Sequence, residues 1–374
     1  MKIIKTVILS LPCILLCTTM TLAQQRSRSS QLGVVQELNN GPKEIKEVSK
    51  TFENPLGRGA DPFIIKHNGL YYRVYNSRGG FKVTESRFLT RPERVAQVWF
   101  APPSGPSAHQ IWAPEIHPIN GKWYIYAAGS DLNNGHYQNQ RTFVLESDSP
   151  FGPYENKGVI YTGDDPEHMI GNRWAIDMTV LEHNGKLYTI WSGWAGTRNV
   201  AQLLYIAEME NPWTIKGTRV LLSVPDYSWE KGDNIQLLEG PQVLKHGDDV
   251  FILYSTRGSW TRHYKLGQLR LKKDGDPLDP QAWVKKSEPV FVGADKAYGV
   301  GHASFTTSPD DTEYWIYYHF KTAPDGGWSN RHVALQSFGF DKAGNPVFGK
   351  PKAYGNTKRP SGEYEIEKAD FDKK

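Results

Sequence analysis

Cysteine is nearly missing from this chain of 374 residues: there are two, Cys13 and Cys17. Both fall in an N-terminal segment, Met1 to Ala23, with Lys2 and Lys5, an apolar run, and Thr21-Leu22-Ala23 ahead of polar sequence. That is the pattern of a secretory signal cleaved after Ala23. The mature chain is therefore expected to have no disulfide, no thiol nucleophile and no thiolate metal ligand. Leu15 and Leu16 ahead of Cys17 are not the small residues that a lipid-attachment site needs. No later run of about 18 apolar residues occurs, so no membrane-spanning helix is expected. Neither sign of charge dominates: 44 Lys and Arg face 40 Asp and Glu, a net +4 that falls to +2 without Lys2 and Lys5. This excludes a basic nucleic-acid stripe or an acidic tail. Asn-x-Ser/Thr acceptors are absent, which suits a bacterial exported protein, periplasmic or extracellular. Motifs of the HExxH or EF-hand kind are absent as well, leaving no side-chain cage for a catalytic metal. Helix signals are nearly absent too.

What is abundant is aromatic residues, 12% of the chain, arranged in a repeat. Five times, at intervals of 54, 62, 62 and 63 residues, a polar residue opens a short apolar run that leads through a turn into an aromatic-rich run. The polar residues are Asp61, Glu115, Asp177, Glu239 and His302. A repeat of this length is one supersecondary unit used again and again. Leu70 to Tyr75, Trp123 to Tyr126, Leu187 to Trp191, Val250 to Tyr254 and Tyr314 to Tyr318 alternate like strands. Asn68-Gly69, Asn120-Gly121 and Asn184-Gly185 are two-residue hairpin turns, whose central residues both need positive φ. The stretches Thr142 to Gly163, Leu203 to Val224, Lys265 to Gly293 and Val333 to Pro351 each add a third strand, a turn and a fourth.

Four antiparallel strands in each of five units predict an all-β, five-bladed β-propeller spanning residues 50–355. Residues 24–49, rich in Ser, Gln, Lys and Glu, read as a flexible leader, and 356–374 as a charged surface tail. The first strand of a propeller blade lines the central axis, so the five polar residues should ring one mouth of the channel. Alone, each has a bland reading: Asp61 before Pro62 as a turn residue, Asp177 as a buried carboxylate bonded to amides, Glu239 as a strand-end surface residue. The shared register favours convergence.

Like charges brought together disfavour joint ionisation, so such a ring implies use. Two opposed carboxyls suit hydrolysis of a glycosidic bond, one protonating the leaving oxygen and one activating water or attacking the anomeric carbon. A third can raise the acid's pKa. Aromatic faces for sugar stacking are at hand in Trp112, Trp174, Trp194 and Trp260.

In order and spacing, Ala-Asp-Pro at Asp61, Trp-Ala-Pro-Glu at Trp112 to Glu115, Ile-Asp before Met178, Glu-Gly-Pro at Glu239 and Gly-His at His302 resemble glycoside hydrolase family 43. These are five-bladed enzymes acting on arabinose- and xylose-containing plant polysaccharides. The resemblance implies Asp61 as general base, Glu239 as general acid and Asp177 as the residue that tunes and orients Glu239. It implies inversion, with Asp61 and Glu239 roughly 6.5 to 9.5 Å apart to admit a water. Glu115 becomes a supporting hydrogen-bond residue, and Arg331 resembles a positively charged contact to the bound sugar or to the acid; with these, Trp112 and Trp194 beside the ring are read as substrate-binding. His302 resembles an axial histidine beside a water-ligated calcium or other cation, or else is a core histidine; no cofactor is required. The segments around Trp213 and Tyr227 and the Asn-Arg-His run resemble the family's exo-acting α-L-arabinofuranosidases. Loops Ser130 to Gln140 and Gly163 to Arg173 are expected to wall the ring into a pocket. The expected partner is an oligo- or polysaccharide, with no nucleic acid or membrane partner. The alternatives are a β-xylosidase or endo-arabinanase on the same scaffold, and a non-catalytic sugar-binding propeller.

Overall fold

A computed structural model describes residues 36–37, 47–133 and 136–373. The signal segment 1–23 and most of the leader 24–49 lie outside the described residues. The molecule is built almost wholly of strands, joined in five successive antiparallel meanders. Unit one comprises Phe63–His67, Leu70–Ser77, Gly80–Ser86 and Arg94–Phe100. Unit two comprises His109–Ile119, Lys122–Ser130, Arg141–Ser147 and Glu155–Val159. Unit three comprises Ala175–His183, Lys186–Gly193, Ala201–Asn211 and Thr214–Ser223. Unit four comprises Gln236–His246, Asp249–Thr256, Lys265–Leu271 and Trp283–Lys285. Unit five comprises Tyr298–Thr307, Tyr314–Lys321, Arg331–Phe340 and Pro346–Val347.

The turn chemistry explains the first hairpins. Asn68 and Gly69 have φ of 50° and 77°, Asn120 and Gly121 51° and 80°, Asn184 and Gly185 50° and 74°. Both central residues are left-handed in each, the geometry whose twist matches that of the flanking strands.

Alternation then gives every sheet two apolar faces, and the core is distributed between neighbours. Phe81 and Val83 of unit one pack with Ile125 and Phe143 of unit two. Tyr126 and Val144 pack with Trp191 and Ala207 across units two and three, and Ile190 and Ile206 with Tyr254 and Leu269 across three and four. Phe251 and Phe291 meet Ile316 and Tyr318 across four and five. Ile64 and Tyr71 of unit one meet Trp315 and Leu335 of unit five, so the fifth interface returns to the first. The opening strands likewise touch in a closed cycle, each to the next and unit five to unit one.

The ends of the chain meet at that last interface. Thr51–Asn54 pairs antiparallel with Gly355–Lys358, Thr51 opposite Lys358. The charged tail beyond, expected at the surface, carries a helix. Glu363–Phe371 is an α-helix with Glu363 and Glu365 in its first turn and Lys368 in its last, charges that suit the helix dipole. Glu363 is fully buried: it accepts from the Leu89 amide at 3.1 Å and from the Thr90 hydroxyl. Arg87 is bridged to Asp370 at 2.7 Å. Among the described residues no helix is long and apolar enough to cross a membrane.

Candidate active site

Four of the five opening strands begin with a break in pairing, which shifts register between Trp112 and Glu115, Ile176 and Thr179, Glu239 and Gln242, and Gly301 and Ser304; Phe63–His67 pairs without a shift. At or beside each break, and two residues ahead of Phe63 in unit one, stands a left-handed residue: Asp61 (φ 49°), Ala113 (42°), Asp177 (54°), Gly240 (53°) and His302 (41°). Four of these are not glycine, and each such residue costs about 1–2 kcal/mol of backbone strain. The bulge turns the side chain off the strand's alternation, which is how a polar residue can leave a sheet whose faces are otherwise apolar.

Aligned on this residue, the five ring positions separate. Asp61, Asp177 and His302 occupy the left-handed site itself, and Glu239 precedes it by one. Glu115 follows it by two, in the register of Phe63, Thr179, Gln242 and Ser304. It therefore belongs to a deeper layer of the ring. Gln242 Nε2 donates to Glu115, and His117 Nε2 lies 2.9 Å from the other carboxyl oxygen. Burial pushes the Glu115 carboxyl well above its ordinary range, only softened by the Thr179 and Gln242 side chains. Burial also drops His117 to about 3. His117 is thus neutral near pH 7, and burial favours the protonated form of Glu115 in this contact beneath the site.

The upper layer is pinned by the neighbouring unit. Asn76 Nδ2 donates to the Ile111 carbonyl at 3.0 Å, and Ser192 Oγ to the Leu238 carbonyl at 2.8 Å. Ser255 Oγ accepts from the His302 amide at 2.8 Å, and His319 Nδ1 accepts from the Asp61 amide at 3.2 Å. In each case a polar residue closing the aromatic run of one unit holds the opening strand of the next. His319 was not among the residues expected from sequence. Its signal was present in the alignment of the repeats, where it stands in register with Asn76, Ser192 and Ser255.

Asp61 is surrounded by cationic or basic groups. Arg331 Nη1 lies 3.0 Å from Oδ1, His302 Nδ1 3.3 Å and His319 Nδ1 3.4 Å. Burial works to raise this carboxyl, but His302, Arg331 and His319 together hold it well below 3.8. The three are not equal. His319 uses its Nδ1 lone pair for the Asp61 amide, so its proton sits on Nε2, which is buried without a partner. It cannot also donate that Nδ1 to the carboxylate. Burial further lowers His302, and lowers His319 to about 4, so both are neutral at pH 7. Arg331 is the neighbour that stays charged, and it fixes Asp61 as a carboxylate.

Glu239 and Asp177 are the opposite case. Burial, with Asp61 nearby, raises Glu239 to about 7 despite the Tyr264, Arg331 and Ser259 groups that favour its anion. The Tyr264 hydroxyl is itself buried and makes no well-formed hydrogen bond, so its help is weak. Burial and then the Glu239 charge push Asp177 well up too. Two buried carboxyls that cannot both ionise hold a proton between them. Asp177 also accepts from the Gly240 amide at 3.0 Å, which fixes the segment bearing Glu239.

Of the aromatic candidates, Trp112 is half-buried at the mouth and touches Tyr137. Trp194 departs from the expected sugar contact. It is 2% exposed and stacked on Trp174, centroids 4.9 Å apart at 11°, so its face is already covered. It backs the mouth instead of lining it. Loop 163–173 is tied down by Asp164, bridged to Arg219 at 2.7 Å and to Arg173 at 3.1 Å. Among the described residues no group of three or more His, Cys, Asp or Glu could hold a metal ion.

A carboxylate fixed by arginine and a protonated carboxyl held by a second carboxyl, on one closed ring of sheets, form the constellation of a glycoside hydrolase. Residues 52–346 match the model of glycosyl hydrolases family 43, and the chain belongs to that family. It is 36% identical over 331 residues to an extracellular exo-α-(1→5)-L-arabinofuranosidase of Streptomyces avermitilis, covering 83% of this chain and 65% of that protein. It is 34% identical over 279 residues to the enzyme of the same name from Streptomyces chartreusis, covering 72% of this chain and 82% of that protein. In three dimensions it resembles an α-L-arabinofuranosidase from Lactobacillus brevis with a TM-score of 0.74 at 33% identity, covering 81% of this chain and 98% of that one. The chain thus spans about two thirds of the length of the Streptomyces avermitilis relative.

Proposed function

We propose that the protein is an exported, inverting exo-α-L-arabinofuranosidase that releases terminal arabinofuranosyl units from arabinan or arabino-oligosaccharides. Its five meanders are read as the blades of a five-bladed β-propeller, with 1–23 as export signal and 24–49 as leader. The reading is supported by relatives of that activity, two of them named as extracellular. The observation that carries it is the split among the carboxyls: Asp61 held ionised beside Arg331, Glu239 raised to about 7.

In this reading Asp61 takes a proton from a water on the far side of the anomeric carbon as the C–O bond breaks. Glu239 delivers its proton to the leaving oxygen, so each step leaves the site with one proton moved across it. Asp177 keeps Glu239 protonated and aimed through the Gly240 amide. Arg331 holds Asp61 and stands where a sugar hydroxyl can reach it. A hydrated calcium or other cation beside His302 is assigned no step.

The test is product analysis on linear arabinan and a panel of aryl glycosides, with the first-released anomer followed by NMR. Arabinose as sole early product, in the inverted configuration, is expected. Cleavage of aryl β-xyloside alone, oligomers as first products, or retained configuration would each overturn the assignment. No cleavage of any glycoside, with sugar binding intact, would make the protein a non-catalytic binder.

A further inference from the structure

Aromatic side chains from three units meet in one line at the mouth. Trp112 of unit two contacts Tyr137, centroids 5.9 Å apart. Tyr137 meets Trp328, in the loop before the third strand of unit five, edge-on at 6.5 Å and 81°. Trp328 meets Trp260, following the second strand of unit four, edge-on at 5.6 Å and 68°. The contact between Tyr137 and Trp328 joins unit two to unit five, and unit one, which supplies Asp61, lies between them in the cycle.

Trp328 is linked, through one residue each, to both halves of the carboxyl pair. Its carbonyl accepts from Arg331 Nε at 3.2 Å, and Arg331 holds Asp61. Its indole N–H donates to Ser259 Oγ at 3.1 Å, and Ser259 stands beside Glu239. Tyr137 is fixed through its carbonyl, which accepts from Trp174 Nε1 at 2.6 Å. Yet Trp328 is 51% and Tyr137 43% exposed. These rings are held in place at the surface without being packed in a core. A cavity of about 400 Å³ lies against Trp328, lined by Arg58 to Ala60 and Trp328 to Arg331, a size typical of small-ligand sites.

We propose that Tyr137 and Trp328 form an arch over the unit-one side of the mouth that stops a polysaccharide from running through, so that only a chain end can enter. This rests on the arabinofuranosidase reading and names the residues that make it exo-acting. A chain bound at an internal bond needs a groove open on both sides of the scissile linkage. Here loops of two non-adjacent units meet across one side, and the rings present apolar faces where a further sugar would have to pass.

The experiment compares wild type, Tyr137→Phe, Tyr137→Ala and the double variant Tyr137→Ala with Trp328→Ala on linear α-1,5-arabinan and on 4-nitrophenyl α-L-arabinofuranoside. The wild type and Tyr137→Phe, which keeps the ring, should give arabinose as the early product. Tyr137→Ala should raise the ratio of oligosaccharide to arabinose by roughly tenfold, the discrimination a single removed steric element gives. The double variant should raise it further. Tyr137 is at the surface, so its truncation tests the arch even if Trp328→Ala does not fold, which circular dichroism would show. Cleavage of the aryl substrate by Tyr137→Ala with an unchanged, arabinose-only profile overturns the arch while leaving the function intact. A wild type that itself releases oligosaccharides, or cleaves no arabinofuranoside, overturns both.

Discussion

Arg331 Nη1 lies 3.0 Å from Asp61 Oδ1, and it is the one basic neighbour of that carboxylate that keeps its charge near neutral pH. The pair ties the third strand of unit five to the start of unit one, and so holds the proposed base at the closing interface of the ring. Arg331→Gln should move the acidic limb of the pH–rate profile upward by about one pH unit, because an arginine beside an aspartate lowers its pKa by 1–3. The sign follows from Asp61 being active only when ionised. Turnover at acidic pH should fall more than turnover at pH 7, and an acidic limb left where it was would remove Arg331 from this role.

Glu239 must act in the protonated form, and it is raised to about 7. Activity should therefore fall as pH rises through about 7. Asp177→Asn removes the second carboxyl of the pair, so this basic limb should move to lower pH. Glu239→Gln should cost 10²–10⁴ in kcat on arabino-oligosaccharides, the usual contribution of a general acid. It should cost much less on 4-nitrophenyl arabinofuranoside, whose leaving group needs no proton. Equal losses on both substrates would argue against Glu239 as the acid.

The same shift has a consequence for stability. Glu239 binds its proton more tightly when folded than at its ordinary value of 4.5, so its contribution favours the fold below that pH and is lost as pH rises through about 7. Glu239→Gln keeps the shape and never ionises. It should melt at a higher temperature than wild type at pH 8, by roughly 1–3 kcal/mol, and near wild type at pH 4.5. Calorimetry at the two pH values checks this; a gain at pH 4.5 alone would mean that the carboxyl is not strained by ionisation.

The repeat in the sequence made the five units legible because each is opened by a polar residue and closed by an aromatic run, and the Asn-Gly turns fix their hairpins. The convergence of Asp61, Asp177 and Glu239 was legible for the same reason. What the spacing could not give was depth. Glu115 is two residues beyond its unit's left-handed residue, and that offset, set by a bulge, places it below the others. Trp194 looked like a sugar platform because sequence cannot show that Trp174 already covers its face. The helix Glu363–Phe371 was hidden by its charge, although its acidic first turn and Lys368 are the signals of helix ends.

His319 is the residue that this pattern brings into view. Its Nδ1 accepts the amide proton of Asp61, a residue held at a φ of 49°. His319→Ala should leave that amide unpaired and let the base shift, lowering kcat by at least about tenfold with a smaller effect on KM, as loss of alignment does. His319→Asn, which offers an acceptor near the same point, should recover most of the rate. If alanine and asparagine behaved alike, the imidazole would be acting only as packing against Tyr264, on which it lies flat with centroids 5.4 Å apart.

Closure of the ring depends on few groups, because the cluster joining unit five to unit one is smaller than the main cluster at each of the other interfaces. Asn54 supplies much of what is missing there. Its Nδ2 donates to the Leu335 and Lys352 carbonyls, each at 2.7 Å, and its Oδ1 accepts from the Leu335 amide at 3.2 Å. Asn54 is 1% exposed, so Asn54→Ala strands buried donors and acceptors and should cost about 2–4 kcal/mol. Asp61 stands two residues ahead of Phe63–His67, the opening strand of unit one, and Arg331 and Leu335 share one strand of unit five. Loosening this joint should therefore reach the base before it reaches the acid. In urea, Asn54→Ala should lose activity on arabinan at a lower concentration than it loses circular dichroism. Loss of both together, with no separation between the curves, would mean that the closing interface unfolds only with the whole ring.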